Sequence, residues 1–325
     1  MSQTAQIFPK TTVSVERAGP VAAPPITRIG EPETKILLAL ARYHRLTAVQ
    51  LTRLLYRPTS LTTVQARLKR MTDAGLLGRD FPHGPQRAGG APWIYYLERK
   101  GNAFVEELGI EMPRFRPEEG RHGFLFYEHT LLLNDILIHI DLLSQQVGPV
   151  EIDTLWHERW LKQRPLVVEV AMKGPKGERE RFETVKLIPD AIVDLHVHDE
   201  TNPYRMNLAI EADRATEDQR KWRRKIGAYL AAMQGSYQEA FGTRSLKVAV
   251  ATTGGDLRVQ QLRRWTETEL RDRGADGIGQ LFAIAAVPAQ WEEVEPADFL
   301  MGSRWHHPFG QRPLPLVTLE VSDDT

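Results

Sequence analysis

Apolar residues recur at helical spacing early in the chain. Ile36, Leu37, Leu40 and Ala41 share one face and predict a helix over Glu33–Tyr43. A second, shorter helix is expected after Leu46, with Thr47 as its N-cap and Val49, Leu51, Leu54 and Leu55 as its apolar stripe. Pro58, Thr59 and Ser60 interrupt the pattern, and a third helix follows with Leu61, Val64, Leu68 and Met71 on one side, ending at Gly75. Leu76–Arg79 and Trp93–Leu97 read as two strands joined by the Gly, Pro and basic loop Pro82–Pro92. Three such helices and a basic-tipped hairpin predict a winged helix-turn-helix over residues 33–112, behind a flexible, Pro-interrupted leader at 1–32.

Further on the pattern changes. Phe124–Leu143 is apolar almost all round and predicts a central helix. Strand-like runs follow at Leu166–Met172, Thr184–Val197, Met206–Asp213, Leu246–Thr252 and Leu281–Val287, with helices near Glu217–Met233 and Leu257–Arg273. That order predicts an α/β sheet domain over residues 120–300, and residues 301–325 read as an irregular tail with an edge strand at Leu316–Val321. Thr252-Thr253-Gly254-Gly255-Asp256 lacks the Gly-Lys-Ser/Thr ending of a phosphate loop and reads as a strand-to-helix turn.

The most informative stretch lies between Lys186 and Leu230. Ala191, Val193, Leu195 and Val197 alternate with polar residues, as do Met206, Leu208, Ile210 and Ala212. Centring an antiparallel hairpin on the turn formers Asp199–Pro203 matches Ala191 with Ile210, Val193 with Leu208 and Leu195 with Met206. Asp190 then stands across from Glu211. Asp190, Glu211 and Asp213 fall on one face, where three carboxylates repel unless something positive sits among them. Two readings fit. A hard divalent ion, Mg²⁺ or Mn²⁺, suits oxygen-only ligands, and it would activate water and stabilise charge on a phosphodiester. Alternatively the face is solvated and balanced by Arg214, Lys221 or Lys225.

Charge sharpens the division. The chain of 325 residues has a formal net charge of zero. Glu33–Leu108 nevertheless holds twelve Lys and Arg against six Asp and Glu, whereas everything after it holds twenty-seven against thirty-four. A basic front suggests a polyanionic partner. On the third helix, the side away from the apolar stripe carries Thr62, Thr63, Ala66, Lys69 and Arg70, with Arg67 at its margin. Small, hydroxylic and cationic residues suit a major groove, and His83, Gln86 and Arg87 in the loop would reach the neighbouring backbone or minor groove. A protein-contacting winged helix with merely solvated cations is the alternative.

Absence of cysteine excludes a disulfide framework, thiolate zinc or iron–sulfur sites and Cys-based catalysis. No Gly-x-Ser-x-Gly elbow supports Ser/His hydrolysis. The greasiest run, Leu131–Leu143, is interrupted by Asn134, Asp135, His139 and Asp141, so no membrane partner is expected. The first residues lack the pattern of a secretion signal, and a cytoplasmic location is the expectation. His196 and His198 share a strand face with Asp194; a His-x-His pair can bind zinc, though such residues are commonly just polar members of a half-exposed strand.

Several short motifs, in order, carry a family resemblance: Glu128-His129, Asn134-Asp135, Trp156-His157-Glu158, Pro189-Asp190-Ala191, Glu211-Ala212-Asp213-Arg214-Ala215-Thr216-Glu217, and Lys225 with Tyr229. Together with the predicted winged helix they resemble the replication-relaxation family of bacterial plasmids and integrative elements, over roughly Glu33–Trp291. The second half also looks like the PD-(D/E)XK nuclease core, with Pro189-Asp190 on one strand and Glu211 on the next. Asp213 stands where that core has its lysine, so the resemblance requires Lys225, Lys221 or Arg214 to supply the cation from beyond the strand. It also implies Glu128 on the central helix as a further ligand.

The fold class expected is therefore α+β: an N-terminal winged helix-turn-helix domain, then a nuclease-like α/β domain with a mixed sheet. Asp190, Glu211, Asp213 and Lys225 are the candidate catalytic residues, and Asp190, Glu211, Asp213 and Glu128 the candidate Mg²⁺ or Mn²⁺ ligands. Thr62, Thr63, Arg67, Lys69, Arg70 and Arg87 are the candidate DNA contacts. Expected partners are double-stranded DNA, a second copy of the chain and other replication proteins of the host element. The expected activity is metal-dependent nicking, or else non-enzymatic initiation or regulation with an inactive nuclease-like domain.

Overall fold

A computed structural model describes residues 29–82, 92–112, 123–172, 181–288 and 290–319. The leader up to residue 28 and the loop residues His83, Gln86 and Arg87 lie outside the described residues. The chain begins with α1 (Glu31–Tyr43), β1 (Leu46–Thr47), α2 (Ala48–Leu55), α3 (Leu61–Asp73), β2 (Leu77–Asp80), β3 (Ile94–Leu97) and α4 (Arg99–Glu107). Thr47 caps α2 through a reciprocal box: its hydroxyl accepts from the Gln50 amide and the Gln50 side chain accepts from the Thr47 amide, both at 3.1 Å. Val49, expected in the buried stripe, is exposed instead, while Leu51 and Leu54 are buried. Gly75 ends α3 with a φ of 72°, a backbone region that costs glycine little. β1, β3 and β2 form a small antiparallel sheet in that order.

The remainder is an α+β body built on a five-stranded mixed sheet. Its elements are α5 (Phe124–Gln146), β4 (Val150–His157), α6 (Glu158–Leu161), β5 (Leu166–Met172), β6 (Arg181–Leu187), β7 (Ala191–Val197), β8 (Tyr204–Asp213), α7 (Gln219–Met233), α8 (Ser236–Phe241), β9 (Leu246–Thr252), α9 (Gly255–Asp272), β10 (Phe282–Ala286) and α10 (Pro296–Leu300). The sheet order is β10-β9-β8-β7-β4, with β8, β9 and β10 parallel and β4, β7 and β8 antiparallel, while β5 and β6 pair as a separate ribbon. Among the described residues no helix is long and apolar enough to cross a membrane.

Alternation along the strands divides the core between the two sheet faces. Ala191, Val193, Leu195, Leu208 and Ile210 pack toward α5 in one cluster, which continues without a break into α1, α2 and α3. Ile192, Ala209, Val248 and Val250 pack toward α7 and α9 in a second cluster, which also takes in the β5–β6 ribbon. Buried polar groups of α5 secure the N-terminal helices. Asn134 donates to the carbonyl of Tyr43 at 3.2 Å and to that of Arg45, Asp135 accepts from Gln50 at 3.0 Å and Arg53 at 2.9 Å, and Asp141 accepts from Arg42 at 2.6 Å and from the Tyr43 hydroxyl.

Some expectations need correction. The single strand expected over Thr184–Val197 is two strands, β6 and β7, separated by Ile188-Pro189-Asp190; proline has no amide proton for a ladder. β4, α4 and α10 were not anticipated. Residues 316–319 form no edge strand. Residues 301–319 are irregular yet packed: Trp305, Leu316 and Val317 are buried, and Trp305 bridges Leu314.

Candidate functional site

The β7–β8 hairpin has the register that the apolar match predicted, with Ala191 opposite Ile210, Val193 opposite Leu208 and Leu195 opposite Met206. Asp199 fixes the turn, accepting from the amides of Thr201 at 2.8 Å and Asn202 at 3.0 Å. Just before β7, the Asp190 amide donates to the Ile210 carbonyl at 3.2 Å, and its carboxylate accepts from the Ala212 amide at 2.8 Å. Asp190 is thereby held against the end of β8, beside Glu211.

Each acid then meets a different partner. Lys225, one helical turn and a half into α7, brings its ammonium to 2.8 Å from Glu211 Oε2, and the Tyr229 hydroxyl donates to Glu211 Oε1 at 2.6 Å. Glu217 lies 3.8 Å from the same ammonium. His129, near the start of α5, reaches Asp190 Oδ1 at 3.2 Å. His129, Asp190, Glu211, Glu217 and Lys225 line a cavity of about 300 Å³. Asp213 borders it too, but its oxygens accept from Arg258 at 2.9 and 3.0 Å and from the Thr252 hydroxyl at 2.6 Å. Glu128 stands on α5 paired with Arg214 at 2.7 Å.

The electrostatics follow from burial and these partners. Burial pushes the Glu211 carboxyl up to about 7; Lys225 opposes the rise and the nearby Asp190 charge adds to it. Burial would likewise raise Asp190, but the His129 hydrogen bond, the Lys225 charge and the Ala212 amide hold it below the usual carboxylate range. Burial raises Glu217 as well. Lys225 is desolvated, yet the carboxylates around it outweigh that penalty and keep it charged. His129 is raised, because its contact with Asp190 outweighs burial. Three acids thus share one ammonium and one imidazole, and with all three ionised the pocket holds more buried negative than positive charge. Its chemistry suits an added hard cation: Mg²⁺ is commonly held by one or two carboxylates, its remaining positions filled by water and substrate phosphates. Asp190 and Glu211 are the two that would hold it.

On α3, Thr62, Thr63, Ala66 and Lys69 are exposed and Arg70 is half-buried. Lys69 pairs with Asp73 at 2.7 Å, and Arg67 turns inward to Glu33 of α1. Arg87 lies outside the described residues. The reading from residues alone did not assign roles to His129, Glu217 or Tyr229, although each belongs to the motifs quoted above. The signal was available for Tyr229, which shares a helix face with Lys225 at a spacing of four.

Comparison with known families gives one finding. The sequence model of the family described as Replication-relaxation matches residues 37–245, from within α1 through the β7–β8 hairpin and α7 to the residue before β9. No curated protein matches the chain.

Proposed function

Because the chain belongs to the replication-relaxation family, we propose that it binds the DNA of a plasmid or integrative element through a winged helix formed by α1 to β3, and nicks it at the Asp190–Glu211 pocket. The order helix, strand, helix, helix and hairpin supports the first half, as do the exposed hydroxyls and cation of α3. One observation carries the second: the Lys225 ammonium lies 2.8 Å from Glu211, so α7 supplies the cation that a PD-(D/E)XK-like strand would need and that Asp213 does not provide. Asp190 and Glu211 would hold Mg²⁺ or Mn²⁺, which when bound supplies charge stabilisation at the phosphodiester. Lys225 would orient and polarise the attacking water, and His129 fixes the Asp190 carboxylate that would hold the ion. Asp213 and Glu128 are anchors for Arg258 and Arg214.

Arg214, Lys221 and Lys225 line the pocket and set three cations against its four acids, Asp190, Glu211, Asp213 and Glu217.

A second reading keeps the DNA binding and drops the chemistry, making the protein a non-enzymatic initiator or regulator. The engagement of Asp213 by Arg258 and of Glu128 by Arg214 favours it, since each of these acids already has a guanidinium to balance its charge. Incubation of supercoiled plasmid with the protein and Mg²⁺ separates the readings. Relaxed circles from wild type, and none from Asp190→Ala or Glu211→Ala, are expected for nicking. If all three proteins retard the plasmid in a gel and leave it supercoiled, the enzymatic reading fails and the binder stands.

A further inference from the structure

At the other end of β7, six residues from Asp190 and so on the order of 20 Å along the strand, a second group of ligand-type side chains converges. We infer that Asp153, Asp194 and His196 form a binding site for one first-row divalent transition ion, Mn²⁺ or Zn²⁺, on the edge of the sheet. Their ligand atoms all lie within 4.8 Å of one another. The proposal is independent of the nicking pocket.

The backbone brings Asp153 there by a specific device. β4 pairs with β7 in regular register as far as Ile152 opposite Leu195, and resumes with Thr154 opposite Asp194, so Asp153 is an extra residue in a bulge. Bulges re-aim side chains. Here the bulge lets two residues of the edge strand face Asp194 in place of one.

One further observation points to a missing partner. The His196 Nε2 is buried and makes no hydrogen bond, although Asp194 Oδ1 is 3.4 Å away. Directly across from Asp194 on β8, the buried Asn207 side chain has the Tyr237 hydroxyl as its polar neighbour. A liganded ion would give the His196 Nε2 the partner it lacks.

The charges and the access agree with this occupant. Arg205 binds Asp194 through both its oxygens, at 2.8 Å for the Nε contact, which leaves each oxygen a further lone pair. Hydrogen bonding of this kind orients a ligating carboxylate. Two carboxylates and one guanidinium leave a net negative charge for the ion. The His196 side chain is 31% exposed and Asp153 is exposed, so the site opens to solvent and leaves positions for water. One imidazole nitrogen with carboxylate oxygens selects Mn²⁺ or Zn²⁺ over Mg²⁺. Occupied, the site would tie the edge strand β4 to the central hairpin.

The test uses the full chain after chelator treatment, titrated with Zn²⁺ and separately with Mn²⁺ by calorimetry, with thermal unfolding alongside. Wild type is expected to bind one ion that raises the unfolding temperature. Asp153→Asn and His196→Ala are expected to weaken that ion about tenfold or more and to abolish the thermal shift, whereas Asp190→Ala retains both. Nitrogen couplings from an imidazole in the Mn²⁺ paramagnetic spectrum, lost in His196→Ala, would identify the ligand. Asp153 is on the surface, so its Asn variant folds and decides the matter should His196→Ala fail to. The proposal is overturned if wild type binds neither ion, or if binding survives unchanged in Asp153→Asn.

Discussion

Glu211 and Asp213 stand two residues apart on one strand, on one face, both buried, yet they meet different partners. Asp213 meets a guanidinium whose fork matches the carboxylate, with a threonine hydroxyl beside it, and Arg258 is itself held by the Glu217 carbonyl at 2.8 Å and by Gln261 at 2.7 Å and lies over the Trp265 ring. Asp213 thus accepts three hydrogen bonds, two of them from one guanidinium. Glu211 meets a point charge and a phenol at the wall of a cavity, among other acids that the single ammonium cannot neutralise. Planar bidentate pairing closes a site, whereas an ammonium on a flexible stem leaves it open to another cation or to water. The roles are therefore decided by what α7 and α9 bring to the strand.

The largest expected effect breaks that contrast at its functional side. Lys225→Met should lower nicking by about a hundredfold or more and leave duplex retardation unchanged, while Asp213→Asn should keep nicking within about tenfold of wild type. An inactive Asp213→Asn protein that remains folded would return Asp213 to the ligand set. Next in size is the anchor itself. Arg258→Met leaves a buried carboxylate without its partner and should cost about 3–5 kcal/mol, read from urea unfolding, with part regained in the double variant Arg258→Met, Asp213→Asn. A loss under about 1 kcal/mol would mean that the pair is not an anchor.

A third test reads the open acid through pH. Glu211 titrates at about 7 in the folded chain against an ordinary 4.5, so between those values it is protonated when folded and ionised when unfolded. Its contribution is full below 4.5 and is lost as the pH rises toward 7, by roughly 1.4 kcal/mol per unit and on the order of 3 kcal/mol in all. Urea midpoints at pH 5 and pH 7 should therefore differ in wild type and converge in Glu211→Gln. Equal midpoints in both proteins would remove the excess of buried negative charge from the pocket.

Much of this was legible in the residues and some was not, for physical reasons. The hairpin register could be read because a slip by one residue would move Val193, Leu195, Leu208 and Ile210 from core to the opposite face, so apolar matching admits few solutions. α3 was legible from Val64, Leu68 and Met71, which recur at helical spacing. β4 was hidden by its bulge, which breaks alternation at Asp153. α4 was hidden by a sequence, RKGNAFVEE, with a glycine where the chain packs against the Leu76 carbonyl. At the site, the shared face of the acids follows from strand period, and the reach of Lys225 follows from helix period. The capture of Asp213 by Arg258 follows from neither, because the two lie forty-five residues apart and meet only once α9 docks.

The smallest expected effect carries the contrast to the head, where Lys69 pairs with Asp73 as Lys225 pairs with Glu211, at 2.7 and 2.8 Å. The distances are alike, but the Lys69 pair is more than half exposed on both sides. An exposed pair of that kind contributes little to stability, so a phosphate can displace Asp73 with little loss. Lys69→Ala should consequently leave urea unfolding unchanged, weaken duplex binding by a few-fold at moderate salt, and flatten the dependence of log affinity on log salt by about 0.9. An unchanged salt slope would mean that Lys69 keeps Asp73 when DNA binds, and that α3 does not face the phosphates through this residue.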